Sequence, residues 1–281
     1  MSPQQTPTPP NSRYLLLTGA TGLVGRFLLR ELLATGARVA VLCRDATTDL
    51  ARQRIETLVR DLEQTSGRRM SRPLVLRGDL RQPQLGLDAS TLHWWRDHVA
   101  EVIHSAASLQ FYAAHDQDEP WRTNLHGVAE LVKLCESTGV SALHHISTAY
   151  VCGERRDTVL ESELDCGQTF HNDYERSKFL AEQLVRQAQI PTVTILRPSI
   201  VVGDLATGFT SSFHGFYTPL TLAWELAKRR AVEVDIVSQL QASLQVTGRE
   251  LKNLVPVDWV ARVAARIVLN RRWHGGTYHL V

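Results

Sequence analysis

Apolar residues run through this chain in two alternating rhythms. Residues 14–17 form an unbroken apolar run, the mark of a strand buried on both faces. Leu23, Val24, Phe27, Leu28, Leu29, Leu32 and Leu33 then recur at helical spacing, and Gly36 closes the segment. The exchange repeats along the chain. Strands are predicted at 38–43, 73–76, 99–103, 142–146 and 192–196. Helices are predicted at 50–64, near His93, at 120–138, and from Tyr174 to about Ala188. Such alternation predicts a parallel sheet with helices on both faces.

From Arg197 onward the rhythm changes. Residues 207–217 are rich in aromatic and small polar residues, a helix is expected at 218–229, and an apolar stretch follows at 232–237. Another helix starts at 257–260 with Asp258 in the N-cap role, and 277–280 reads as a last strand. Ligands of open α/β sheets bind beyond the carboxyl ends of the strands, so the segment after the sixth strand is the expected substrate cover.

The chain therefore divides into a tail at 1–12, a nucleotide-binding domain at 13–203 and a small C-terminal substrate-binding region at 204–281, with elements returning to the first domain. The tail is rich in Pro, Gln and Thr and is expected to be disordered. It lacks the basic start and apolar core of a signal peptide, and no run of about 18 apolar residues exists, so a cytoplasmic chain without a membrane span is expected.

Composition narrows the class little. With 281 residues, 43% hydrophobic and 21% charged, the chain can bury a full core. A net charge of +2 without a dense basic run excludes a nucleic-acid reading. Cys43, Cys135, Cys152 and Cys166 have no Cys-x-x-Cys spacing and read as free thiols. The 11 histidines show no metal-ligand spacing, and His144 and His145 would point to opposite faces of one strand, so no metal is expected.

The first strand runs into Thr18-Gly-Ala-Thr-Gly-Leu-Val-Gly25 and then a helix, the setting of a dinucleotide-binding turn. Gly19 permits the tight turn, Gly22 lets the backbone approach a pyrophosphate, and Gly25 lets helix and strand pack closely. The helix N-terminus offers free amides and the positive end of its dipole to the phosphates. The fold expected is thus a Rossmann-type doubly wound parallel sheet. The second strand ends at Arg44 instead of an Asp or Glu, which suits a 2′-phosphate and hence NADP(H). Asp45 next door argues the other way, and Arg54 on the following helix reads either as an assistant or as a surface residue.

Tyr174 and Lys178 stand four residues apart, so on a helix they share a face. A neighbouring ammonium is expected to pull the phenol below its ordinary pKa of about 10. Alone the pair is weak evidence. The glycine loop gives it meaning.

Taken together, the glycine loop, the Ser147-Thr148 strand end and the Tyr174/Lys178 pair make residues 14–281 resemble an extended short-chain dehydrogenase/reductase. Gly78-Asp-Leu-Arg-Gln-Pro-Gln-Leu-Gly-Leu87, with the helix before the third strand, is similar to the thioester reductase branch. That branch includes the terminal reductase domains of carboxylic acid reductases and of peptide and polyketide synthases, and the fatty acyl-CoA reductases, or male-sterility proteins. His104-Ser-Ala-Ala-Ser-Leu-Gln-Phe111, Ser147-Thr-Ala-Tyr-Val-Cys-Gly153, Arg197-Pro-Ser-Ile-Val-Val-Gly203 and Val255-Pro-Val-Asp-Trp-Val260 are similar to it too. A further substrate-binding segment would be expected beyond Tyr278.

By that resemblance Tyr174 is the proton donor, Lys178 its tuner and a ribose ligand, and Thr148, 26 residues before Tyr174, the second hydroxyl on the substrate oxygen. Ser147 would lie beside the nicotinamide and Asp79 near the adenine. Thr21, Leu23, Val24, Leu80, Ser105, Ala106, Ala107, Pro198 and Ile200 would complete the cofactor site. Asn124 reads either as a ligand of a structural water or as an exposed helix residue. Cys152 reads as structural, since no setting for a reactive thiol is visible.

The activity implied is NADPH-dependent reduction of an acyl thioester, carried on CoA or an acyl carrier protein, to an aldehyde or onward to an alcohol. The alternative is an NADP-dependent ketone or alcohol oxidoreductase. A sugar-nucleotide epimerase or dehydratase lacks a visible extra acid/base pair. A non-catalytic NADP sensor has no use for a tuned phenol. A small-molecule substrate is the expected partner, and a homodimer is left open.

Overall fold

The computed structural model describes residues 13–46, 50–213, 215, 217, 220, 221, 224, 225 and 252–281. Its elements begin with β1 (Tyr14–Thr18), α1 (Leu23–Ala34), β2 (Val39–Cys43), α2 (Ala51–Ser66) and β3 (Leu74–Arg77). They continue with α3 (Ala89–His98), β4 (Val99–His104), α4 (Gly127–Thr138), β5 (Ala142–Ile146), α5 (Asp173–Gln187) and β6 (Thr192–Pro198). The last are β7 (Ile200–Val202), β8 (Leu254–Pro256), α6 (Val257–Val268) and β9 (Thr277–Leu280).

Seven strands form one parallel sheet in the order β3-β2-β1-β4-β5-β6-β9, with β7 and β8 pairing separately. Every residue of β2 and of β5 is buried. Two apolar cores sandwich the sheet. Leu17, Val41, Ile103 and Ile146 face α1, α2 and α6, whereas Leu16, Leu42, Val102 and Leu143 face α3, α4 and α5. The chain reverses direction across the sheet between β1 and β4, and their carboxyl ends lie side by side with Thr18 in register with His104. This is the point where a doubly wound sheet opens a ligand crevice.

The sequence-based α/β expectation holds, with differences of detail. The helix expected at 120–138 opens into a wide turn at Arg122–His126 before α4, and this turns Asn124 inward to near-complete burial. Asp258 is not the N-cap. Pro256 holds that place, and the Asp258 carboxylate sits in the first turn of α6, accepting from the Leu205 amide (3.1 Å) and pairing with Arg262 (2.9 Å). The tail at 1–12, most of the helix expected at 218–229 and the stretch at 232–237 lie outside the described residues. Among the described residues no helix is long and apolar enough to cross a membrane. All four cysteines are free.

His144 and His145 do point to opposite faces. His145 stacks on His104 at 5.3 Å toward α4 and α5, while His144 meets His274 at 4.6 Å and Glu101 at 3.3 Å on the other side. Donor atoms of Glu101, His144 and His274 come within 4.8 Å of one another, a convergence that no sequence spacing announces. The ring Nε2 of His274 is engaged with the Val268 carbonyl at 2.9 Å.

Burial pushes all three strand histidines toward the neutral form, His104 down to about 3. Below the ordinary 6.5 the unfolded chain takes up protons at these rings and the folded chain does not, so stability falls as pH drops from that value. The slope expected is up to about 1.4 kcal/mol per pH unit for each ring. Urea unfolding on either side of 6.5 measures it. His145→Leu should flatten the slope, and a variant as acid-sensitive as the parent would contradict this account.

Candidate active site

The glycine turn is a backbone-to-backbone contact. Gly19 adopts φ +73°, and a Cβ there would lie 2.5 Å from the Ala106 nitrogen. A Cβ on Gly25 would collide with the Gly19 carbonyl, so the first turn of α1 rests directly on the loop. Gly22 occupies the N-cap of α1 and supplies no side-chain cap, which leaves the first amides of the helix free to meet an anion. The Thr18 hydroxyl links this turn to the β4 end, accepting from the Ala106 amide (3.3 Å) and contacting His104 Nδ1 (2.8 Å).

A cleft of about 480 Å³ opens here, lined by Gly19, Thr21, Gly22, Arg44, Asp79, Leu80, Ser105, Ala106 and Ala107 among others. The sequence singles out every one of these nine. Arg54, Arg81 and Thr123 also line it. Arg54 is no bystander: its guanidinium donates to the Arg44 carbonyl (2.7 Å) and reaches the Thr21 hydroxyl (3.5 Å). Asp45 is committed elsewhere, capping α2 at the Ala51 amide (2.9 Å) and pairing with Arg77 (2.6 Å). Asp79 is held in a fork by Arg81 at 3.0 and 2.6 Å, which keeps its carboxyl below the usual range. Leu23, Val24, Gly25, Ser147, Lys178, Pro198 and Ile200, also predicted around a cofactor, do not line this cleft. Leu23 and Val24 pack on the core instead, and Pro198 and Ile200 lie at the β6 end and the β7 start.

The expected catalytic residues stand on neighbouring elements, Thr148 just after β5 and Tyr174 and Lys178 on α5. The Thr148 hydroxyl accepts from the Tyr150 amide (3.3 Å), and it lies near enough to the Tyr174 phenol to favour its ionised form. Asn172 caps α5 by accepting from the Glu175 amide (3.0 Å), which fixes the helix start just ahead of Tyr174. The Phe111 carbonyl accepts from the Asp173 and Tyr174 amides (2.9 and 3.3 Å), and its ring meets Tyr174 edge-on at 6.1 Å. Lys178 is buried, and its ammonium donates to the Ile146 carbonyl at 2.8 Å.

The ionisation expected of this pair is corrected. Burial drives the Tyr174 phenol up to about 12, with nearby Thr148 pulling the other way. Burial drives Lys178 down to about 8, offset by the nearby Glu182 carboxylate. At the phenol, desolvation outweighs the Thr148 contribution, and no opposing effect of Lys178 is seen there.

Three residues belong to the surroundings of this set: Phe111 and Arg197, quoted in the sequence only as parts of motifs, and Glu182, passed over altogether. Phe111 touches Tyr174. Glu182 and Arg197 form a buried pair directly behind Ser147, whose hydroxyl donates to Glu182 at 2.6 Å. Glu182 falls one helical turn after Lys178, a spacing that could have drawn attention to it. Of its two readings, Asn124 is not the exposed helix residue: it is buried, exchanges hydrogen bonds with the Ser108 backbone (2.8 and 3.0 Å) and donates to Ser177 (3.1 Å). The Cys152 thiol is pushed up by burial, opposite to what an activated nucleophile needs. Phe209 of the expected substrate cover packs on α1, against Phe27 (6.3 Å) and under Arg26 (4.7 Å). Gly215 approaches Phe111.

A glycine turn at the β1/β4 crevice of a doubly wound parallel sheet, with Thr148 after β5 and Tyr174 and Lys178 on α5, is the layout of an extended short-chain dehydrogenase/reductase oxidoreductase. Comparison with known proteins agrees. The family model described as Male sterility protein, an NAD-binding one, matches residues 17–264, and the chain belongs to that family. A linear gramicidin synthase polypeptide of Brevibacillus parabrevis is 31% identical over 97% of this chain, which spans only 5% of that protein. A fatty acyl-CoA reductase of Drosophila melanogaster is 28% identical over 73% of the chain and 46% of its own length. The terminal R domain from the myxalamid PKS-NRPS biosynthetic pathway superposes with a TM-score of 0.76 at 28% identity, covering 98% of this chain and 66% of that one.

If the Gly25 contact shapes the phosphate cradle, Gly25→Ala should weaken dinucleotide binding at least about tenfold, or ~1.4 kcal/mol. Nucleotide titration by fluorescence, with a thermal melt to verify folding, measures this. Unchanged affinity in a folded variant would mean that the loop tolerates the shift.

Proposed function

We propose that this protein reduces an acyl thioester to an aldehyde with NADPH, its substrate carried on CoA or an acyl carrier protein. The observation that carries the reading is the Thr148–Tyr174 hydroxyl pair beside a glycine-turn cleft, in a chain of the male-sterility family. The relatives named above are much longer than this chain, so their activities serve as support by likeness. The cleft residues fit a dinucleotide. Gly19, Gly22 and the α1 amides would hold the pyrophosphate, Asp79 would lie by the adenine, and Arg44 with Arg54 would take a 2′-phosphate. The bound cofactor supplies hydride.

The remaining work falls to the chain's own groups. A carbonyl accepting hydride gathers negative charge on oxygen, and the Thr148 and Tyr174 hydroxyls would stabilise it. Tyr174 then gives its proton to that oxygen. The resulting thiohemiacetal releases a thiol and leaves the aldehyde, and a second hydride would carry the aldehyde to an alcohol. No covalent link to Cys152 is needed.

Thiol release discriminates this reading from ketone reduction. NADPH absorbance followed beside a thiol-reactive dye should show about one thiol per first hydride with acyl-CoA or acyl-carrier substrates. NADPH consumption on ketones alone, with no thiol from any thioester, would replace this reading by ketone reduction. Thr148→Ala should slow the chemical step by roughly 10- to 1,000-fold, and Tyr174→Phe should abolish turnover while leaving NADPH binding nearly intact. Arg44→Ala should erode the preference for NADPH over NADH. A preference that survives it would move the 2′-phosphate site elsewhere.

A further inference from the structure

The deepest polar cluster outside the cleft lies behind the two segments that carry the proposed catalytic groups. The Glu182 side chain has no exposure, and Arg197 is buried equally. One Glu182 oxygen accepts from Arg197 at 2.7 and 3.2 Å and from Arg186 Nε at 3.0 Å, and the other accepts from Ser147 Oγ at 2.6 Å and Arg197 Nε at 3.1 Å. Arg197 also donates to the Glu163 carbonyl (2.7 Å) and meets His279 of β9 (3.2 Å). A single carboxylate thus joins α5, the end of β5 and the end of β6.

We infer that Glu182 is a positioning residue of the active site, tying the Ser147–Thr148 strand end to the helix that carries Tyr174 and Lys178. The inference rests on the reading of Thr148, Tyr174 and Lys178 as catalytic. Its geometry is direct, because Ser147 adjoins Thr148 in the chain and Glu182 lies one turn beyond Lys178. A buried ion pair is weak evidence for stability, since well-packed apolar residues often serve as well or better. Its placement at the junction of both catalytic segments gives it a use that packing alone does not.

Charge points the same way. The charged and titratable groups that act on Lys178 are Glu182 on α5, His104 on β4 and His145 on β5, and burial keeps both imidazoles neutral. Facing Glu182 are Arg197, Arg186 and Lys178, with His279 beyond Arg197. Glu182 is therefore the counter-charge that helps Lys178 keep its proton.

Two variants separate positioning from charge. Glu182→Gln keeps the shape and removes the charge, so the high-pH loss of NADPH affinity and of turnover should begin about one pH unit lower than in the parent. The double variant Glu182→Gln/Arg197→Met removes both charges and guards against misfolding caused by an unpaired arginine. Its kcat should fall about 100-fold at unchanged KM, the scale of a misplacement of about 1 Å. Folded variants with parental kcat and an unmoved pH midpoint would overturn the inference. Failure of both to fold would overturn it too, because the pair would then be purely structural. A parent that turns over no thioester or ketone would refute the functional reading alone, and the pH dependence of NADPH binding would still test Glu182.

Discussion

A parallel sheet buried on both faces leaves almost nowhere for polar chemistry except the strand ends. β2 and β5 are buried along their whole length, so the candidate site gathers where β1, β4 and β5 stop and where α5 passes them. The helices after β1 and β4 leave to opposite faces, which opens the crevice between them. Its floor is set by close backbone contact: Gly19 against Ala106, and Gly25 against Gly19. Nothing larger than hydrogen fits at either place without moving a strand end, and the strand ends are where the hydroxyls are.

Much of this was legible in the sequence because the informative signals are local. Runs of apolar residues announced the strands, the glycine spacing announced the turn, and Tyr174 and Lys178 share a helix face by simple periodicity. What escaped depends on contacts between distant segments. Asp258 looked like an N-cap because a polar residue stands at the start of an apolar helix. The Leu205 amide and Arg262 claim its carboxylate instead. The wide turn at Arg122–His126 and the burial of Asn124 come from docking on Ser108 and Ser177 across the sheet end, and no local pattern encodes that. The engagement of Asp45 by the α2 start and Arg77, and the reach of Arg54 into the cleft, are likewise contacts between separate segments.

The sheet also tolerates charge where it is answered. His104 and His145 stay neutral, so Lys178 meets no buried cation from the strands beneath it, and Glu182 supplies the carboxylate that acts on it. Arg197 is satisfied by Glu182, the Glu163 carbonyl and His279 together. An unpaired charge at this depth would be strongly unfavourable. These groups therefore behave as a unit, and substitution at one of them is felt by its neighbours.

The direction of the proposed reaction follows from the corrected ionisation of Tyr174. A phenol raised to about 12 stays protonated through the physiological range, which is the form a proton donor needs. The oxygen that has just accepted hydride density is an alkoxide, a stronger base than a phenolate even when the phenol is this weak an acid. Proton transfer from Tyr174 to it is downhill without any prior lowering of the phenol. The reverse reaction, oxidation of an alcohol, needs phenolate as the base, and burial makes that form scarce. Under the proposed reading of Tyr174 as proton donor, such a phenol is better suited to giving a proton than to taking one, which accords with reduction.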